Sequence, residues 1–167
     1  MKSEGIMMHS VLLDTSFFIR LLNDEDHLHV NAKDYFKYFL DNEIIMKVST
    51  ISIAEYCVKG NIDDLPLKNI QIVPFNLDHA KRAGEFANAI FIEKNNADAI
   101  LKPRAIIPND AKLFAQSDCD KTITHFITSD RRSQNILKLL KNKIKPRFDI
   151  IDISISYDKT FGILPLR

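Results

Sequence analysis

Five short apolar runs, at residues 11–13, 44–48, 70–75, 123–128 and 150–155, alternate with stretches whose apolar residues recur every three or four positions. The runs have the length of strands and the periodic stretches that of amphipathic helices. This alternation constrains the fold most, because parallel strands must be joined by crossovers, usually helical. The order reads β-α-α-β-α-β-α-α-β-α-β. It predicts an α/β chain, a three-layer α/β/α sandwich around a mainly parallel sheet.

Individual elements follow from local signals. Phe17, Phe18, Ile19, Leu21 and Leu22 predict a buried helix after the first run, and Tyr35, Phe36, Phe39 and Leu40 predict a second over about 28–41. Ser49, Thr50 and Ser52 open a helix to about Val58, closed by Gly60. Residues 77–92 form a helix with a small-residue inner stripe of Ala80, Ala83, Gly84 and Ala87. The polar stretch 93–104 is the expected mobile segment. Pro108-Asn109-Asp110 then starts a helix with Ala111, Phe114, Ala115 and Cys119 on one face, and a further helix spans 131–140. Residues 1–9 read as a ragged leader and about 10–155 as the core of a single domain covering 1–167.

With 167 residues, 46% of them hydrophobic and 27% charged, the chain suits one globular domain. No apolar run approaches the roughly 18 residues of a membrane span. The expectation is a cytoplasmic protein without an export signal, with Cys57 and Cys119 as buried reduced thiols. The net charge of +1 hides an asymmetry. Residues 131–147 carry Arg131, Arg132, Lys138, Lys141, Lys143, Lys145 and Arg147 and no acid before Asp149, while 23–43 are mainly acidic. From charge alone a solvated helix face is the plainer explanation, and steering of a polyanion the sharper one.

Four carboxylates carry the chemical argument. Asp14, Asp110 and Asp130 sit at helix starts, and Glu55 lies inside a helix just begun. Each has an ordinary explanation. Asp14 and Asp130 can cap the helices that follow them, Asp110 can complement a helix dipole, and Ser52-Ile53-Ala54-Glu55 matches a capping box. Jointly they say more, because strand-end acids in an open α/β sheet converge on one crevice when the first and fourth strands are adjacent. Clustered acids are costly unless a cation neutralises them, and oxygen-only ligands favour Mg²⁺ or Mn²⁺ over zinc. Asp98, Asp118 and Asp120 lack strand-end placement and are set aside. Glycine-built phosphate cradles, HExxH, CxxC and nucleophile-elbow motifs are absent, and His9, His79 and His125 stand alone.

Leu12-Leu13-Asp14-Thr15-Ser16, Ser52-Ile53-Ala54-Glu55, Pro108-Asn109-Asp110-Ala111 and Thr128-Ser129-Asp130 together resemble the PIN-domain nucleases, and among them the VapC-type toxins of toxin–antitoxin pairs. The resemblance covers about residues 10–155. It implies a five-stranded parallel sheet in the order 3-2-1-4-5, with Asp14, Glu55, Asp110 and Asp130 around one or two Mg²⁺ or Mn²⁺ ions. It further implies RNA as substrate, a cognate antitoxin over the acidic mouth, a homodimer, and hydroxyls of Ser16 and Thr128 that hold the carboxylates or the metal shell. Exposed positions on residues 28–60 would form the antitoxin groove. Arg131-Arg132-Ser133 stands where a further carboxylate is common, which leaves the second metal open and brings an arginine near the scissile phosphate. The rivals are a catalytically inactive PIN-like module that binds RNA or protein and, well behind, a phosphotransfer receiver or haloacid-dehalogenase-like phosphatase.

Overall fold

Residues 8–95 and 109–163 are described by the structure, a computed structural model. The strands are β1 (Ser10–Leu13), β2 (Ile45–Ser49), β3 (Ile70–Val73), β4 (Ile123–Thr128) and β5 (Asp149–Asp152). The helices are α1 (Thr15–Leu21), α2 (His29–Asp41), α3 (Thr50–Tyr56), α4 (Leu77–Asn95), α5 (Asn109–Cys119), α6 (Arg131–Lys141) and α7 (Tyr157–Phe161). Two 3₁₀ turns, Ile62–Asp64 and Leu67–Asn69, lead into β3. All strand pairs are parallel and the order is β3-β2-β1-β4-β5, as the resemblance implied.

Period-two alternation divides β1 between two cores. Val11 and Leu13 join Phe17, Phe18, Tyr35 and Phe39 beneath α1 and α2. Leu12 joins Phe86, Phe114, Phe126 and Leu140 beneath α4, α5 and α6. The helices after β1 and β4 therefore leave on opposite faces of neighbouring strands, the geometry that opens a crevice at the strand carboxyl ends. Lys47 faces the second core and is nearly buried, yet its Nζ reaches Asp120 Oδ2 at 2.5 Å and Thr122 Oγ1 at 2.9 Å. Asp118 is likewise committed, to Arg82 at 2.8 Å and to the Arg147 amide at 2.8 Å. Both acids are structural, with Asp118 in the last turn of α5 and Asp120 just beyond it.

Several local expectations fail for identifiable reasons. The N-cap of α3 is Ser49, whose Oγ accepts the Ile51 N–H at 3.0 Å, so Ser52 and Glu55 lie within the helix and form no capping box. The buried stripe of α4 is His79, Ala83, Phe86, Ala87 and Ile90, while Ala80 and Gly84 face outward. Phe86 and Ile90 contribute the larger apolar area and set the helix rotation. α4 continues to Asn95, past the expected limit of 92, and the rest of the expected mobile stretch lies outside the described residues. Cys57 is exposed and Cys119 half-buried, so neither is the buried thiol expected. Beyond the expected core, α7 stacks Phe161 on Tyr38 with ring centroids 4.4 Å apart.

Candidate functional site

Asp14 ends β1 and caps α1. Its Oδ1 accepts the Thr15 N–H at 2.8 Å, so capping is real. Its Oδ2 has a separate set of donors, Ser16 Oγ at 2.7 Å and Thr128 Oγ1 at 2.8 Å. Each hydroxyl has one proton, and both are spent on Asp14. Their lone pairs accept backbone N–H groups in turn, Ser129 to Ser16 and Asp130 to Thr128, both at 3.0 Å. The loop after β4 thus passes two amide dipoles through two hydroxyls onto one carboxylate oxygen of β1.

The other acids come from three further elements. Glu55 projects from α3, where Oε2 accepts from Thr15 Oγ1 at 2.5 Å and Oε1 from the Asn109 amide. The Asn109 carbonyl faces Lys112 Nζ at 3.3 Å, which fixes the amide so that its NH₂ points to Glu55. Asp110, in the first turn of α5, accepts at Oδ1 from the buried Ser133 Oγ at 2.8 Å. Asp130 caps α6 by accepting the Arg132 N–H at 2.8 Å.

Asp14, Glu55, Asp110 and Asp130 line one open cleft of about 330 Å³ with Thr15, Ser16, Ile19, Asn109, Leu113 and Arg132. Burial pushes the Asp14 carboxyl above its ordinary range, against three hydrogen bonds that lower it, and the Asp110 charge pushes the same way. Burial likewise raises Asp110, helped by the charges of Asp130 and Glu55 and opposed by Ser133 and Arg132. Among the described residues none of these four acids has an ion-pair partner. A cation placed in the cleft would reverse the repulsion that raises both aspartates.

The donor set fits a hard divalent cation in kind, since every candidate ligand is an oxygen. Mg²⁺ commonly takes one or two carboxylates and keeps several waters, which Asp14 and Asp110 can satisfy. Three acids do not form a cage: among the described residues no group of three or more His, Cys, Asp or Glu is arranged to hold a metal ion. Glu55 is turned to Thr15 and Asn109, and one Asp130 oxygen is spent on capping.

Sequence reasoning passed over Thr15, Asn109 and the buried Ser133. No local pattern marks them, because Asn109 reaches 54 positions back to Glu55 and Thr15 reaches 40 forward. Of the two arginines after Asp130, it is Arg132 that reaches the cleft. Beside it lies a larger groove of about 780 Å³ lined by Thr15, Ile19, Leu22, Asn23, Glu55, Tyr56, Val58, Lys59 and Gly60. It is built from α1 and the end of α3, and no residue of 28–54 lines it.

No protein-family model matches the sequence, and no curated protein does. Solved structures do match by shape. VapBC2 from Rickettsia felis, bound to a DNA fragment from its promoter, superposes with a TM-score of 0.57 at 15% identity, over 86% of this chain and 98% of the other. DNA-bound VapBC from Salmonella typhimurium gives 0.53 at 15% identity, over 87% and 99%. VapC20 from Mycobacterium tuberculosis, a toxin that cleaves the sarcin–ricin loop, gives 0.50 at 17% identity, over 75% and 93%. The likeness is one of architecture: this chain has the PIN-like fold of the VapC structures.

Proposed function

We propose that the protein is a divalent-metal-dependent endoribonuclease, the toxin of a toxin–antitoxin pair. The observation that carries this reading is the convergence of four acids from β1, α3, α5 and the β4–α6 junction on one cleft of a VapC-like fold. Asp14 and Asp110 would hold Mg²⁺ or Mn²⁺, with Asp130 binding it directly or through water. When bound, the cation supplies a water of lowered pKa and offsets charge building on the phosphate. Thr15, Ser16 and Thr128 hold Asp14 in place and take three of its roughly four lone-pair sites, which leaves one on Oδ1 for a cation. Glu55 is held by Thr15 and Asn109, and from there it accepts the proton of the attacking water or orients that water. The cleft opens to solvent, as a polymer substrate requires.

The apolar groove beside the cleft suits the antitoxin. Ile19 is 48% exposed and Val58 78%, and the two walls share Thr15, Ile19 and Glu55 with the acidic cleft. An antitoxin helix seated there could turn a basic side chain into the acids. A homodimer belongs to the same reading.

Incubation of labelled RNA with the protein, with and without Mn²⁺, tests the proposal. Cleavage that needs Mn²⁺ and disappears in Asp14→Asn is expected. Cleavage at an unchanged rate in EDTA would remove the metal from the mechanism. Two observations favour the alternative, an inert RNA- or protein-binding module: among the described residues no three acids stand ready for a metal, and Arg131-Arg132-Ser133 stands where the resemblance would place a further carboxylate. An absence of Mn²⁺-dependent thermal stabilisation would favour that module.

A further inference from the structure

The first turn of α6 carries Arg131 and Arg132, both exposed, at the end of the helix where the macrodipole is positive. Acids are favoured there and cations disfavoured, so these two residues oppose the local field. Places where a sequence breaks a local rule without structural return are where function is expected. Neither arginine is compensated by an ion pair among the described residues, and neither is Lys138. Of the basic residues further along, Lys141 pairs with Asp149 at 2.7 Å, Lys143 with Glu93 at 3.4 Å, and Arg147 lies 4.0 Å from Asp118, while Lys145, without an ion pair among the described residues, lies beyond the end of α6.

Geometry aligns the uncompensated cations. Arg131, Asn135 and Lys138 are spaced i, i+4, i+7 and form one exposed stripe. Arg132 sits one position round the helix and lines the acidic cleft. At about 1.5 Å per residue, Lys138 stands roughly 9 Å along the axis from Arg132. One end of the stripe is thus at the acids and the other is well clear of them. A ligand matching it must bring anions spaced along a line and must enter the cleft.

We propose that the exposed face of α6 is the track for the RNA backbone, with Arg132 contacting the phosphate at the acidic cleft and Arg131 and Lys138 contacting phosphates to one side. The inference rests on the nuclease reading and adds where the substrate strand lies. Arg132 also brings a fixed positive charge to a phosphate held in the acidic cleft. It supplies there the neutralisation that a second cation would otherwise provide, and its planar fork suits two phosphate oxygens at once.

The test is binding, read apart from turnover. Fluorescence anisotropy of a labelled oligouridine in EDTA, titrated between about 50 and 200 mM salt, gives a slope of about 0.7 per phosphate contact for single strands. A triple variant Arg131→Ala, Arg132→Ala, Lys138→Ala should lower the slope by about 2 and the affinity by at least about tenfold. A charge-matched control, Lys141→Ala, Lys143→Ala, Lys145→Ala, should bind like wild type. Equal losses in both variants, or an unchanged slope in the first, would overturn the track while wild-type cleavage stands. Failure of the wild-type protein to bind or cleave RNA would remove the nuclease reading and the track together. Melting curves of both variants confirm that binding is compared between folded proteins.

Discussion

Replacing Thr128 by valine removes one oxygen at nearly constant shape, from a fully buried position. That oxygen gives its proton to Asp14 Oδ2 at 2.8 Å and accepts the Asp130 N–H at 3.0 Å. A hydrogen bond to a charged group is worth about 1.5–3 kcal/mol, and the Asp130 amide loses its partner as well, at reduced cost because it is only part-buried. The total is roughly 2–4 kcal/mol. At about 2–4 °C per kcal/mol for a chain of this size, Tm should fall by about 4–16 °C at pH 8. The effect must depend on pH. Asp14 already titrates above the unfolded carboxyl, so its stability contribution is full below the unfolded pKa and is lost as pH rises through the folded value. Valine removes an interaction that favours the ionised form, which raises the folded pKa further and widens that window upward. The deficit should therefore be largest at pH 8 and shrink as pH falls and Asp14 takes up a proton of its own. Thr128→Ser keeps the hydroxyl and should cost about 0.8 kcal/mol for the lost methyl, independent of pH. Thermal melts of the three proteins at pH 5 and pH 8 decide the matter. Equal losses for valine and serine at pH 8, or a valine loss that ignores pH, would refute the relay from the β4–α6 amides to Asp14.

The same electrostatics gives further expectations. Asp110→Asn keeps an acceptor for Ser133 and removes a charge repelled by Asp130 and Glu55, so metal-free Tm should rise by a few degrees at pH 7. The gain should vanish below the ordinary carboxylate range, and melts across pH would show it. With Mn²⁺ at about 100 times its Kd the wild-type protein should gain about 2.7 kcal/mol, or about 5–11 °C in Tm. Calorimetry on Asp14→Asn and Asp110→Asn should find that gain gone. Val58→Lys, at an exposed groove position, should leave stability within about 0.5 kcal/mol. It should also weaken capture of the polypeptide encoded by an adjoining antitoxin reading frame; unaltered capture would move the partner off the groove.

What the sequence disclosed and what it hid divide along the range of the interactions. Strands β1 and β4 were readable because burial on both faces leaves an apolar run, and α2 because Tyr35 and Phe39 recur at one helical spacing. The strand order came from the resemblance and not from any pattern, since no local signal says that β1 lies beside β4. Failures arose where one motif fits two registers. Ser52 and Glu55 satisfy the capping-box spacing, but Ser49 is placed first by the end of β2 and takes the cap. The small residues of α4 looked like a packing stripe, yet Phe86 and Ile90 had more apolar area to hide and turned Gly84 outward. At the cleft Asp14, Asp110 and Asp130 were visible because helix starts advertise themselves, whereas Glu55, near the end of α3, was marked by a capping-box spacing that the fold does not use. Thr15, Asn109 and Ser133 were invisible, because a hydroxyl or amide that serves a distant carboxylate looks like any other polar residue.

The donors around the acids explain how the cleft can exist in a folded protein. Asp14 and Asp110 are held part-way out of water with like charges beside them, which costs stability whenever they are ionised. A chain that needed only helix caps would place them in solvent. Here every hydrogen bond around them, from Thr15, Ser16, Thr128 and Ser133, favours the ionised form against burial, so the cost of the charges is reduced but not removed. Next to this partly relieved negative charge the first turn of α6 carries two arginines where its own dipole resists them. Neither sign of misplaced charge relieves the other by direct pairing among the described residues, although Arg132 lines the same cleft as Asp110. Two opposed conflicts kept apart at one mouth are relieved together by a ligand that brings a cation to the acids and an anion to the arginines. A phosphodiester bound with a divalent metal has that charge pattern, whereas a metal alone or a peptide partner alone relieves one conflict and leaves the other.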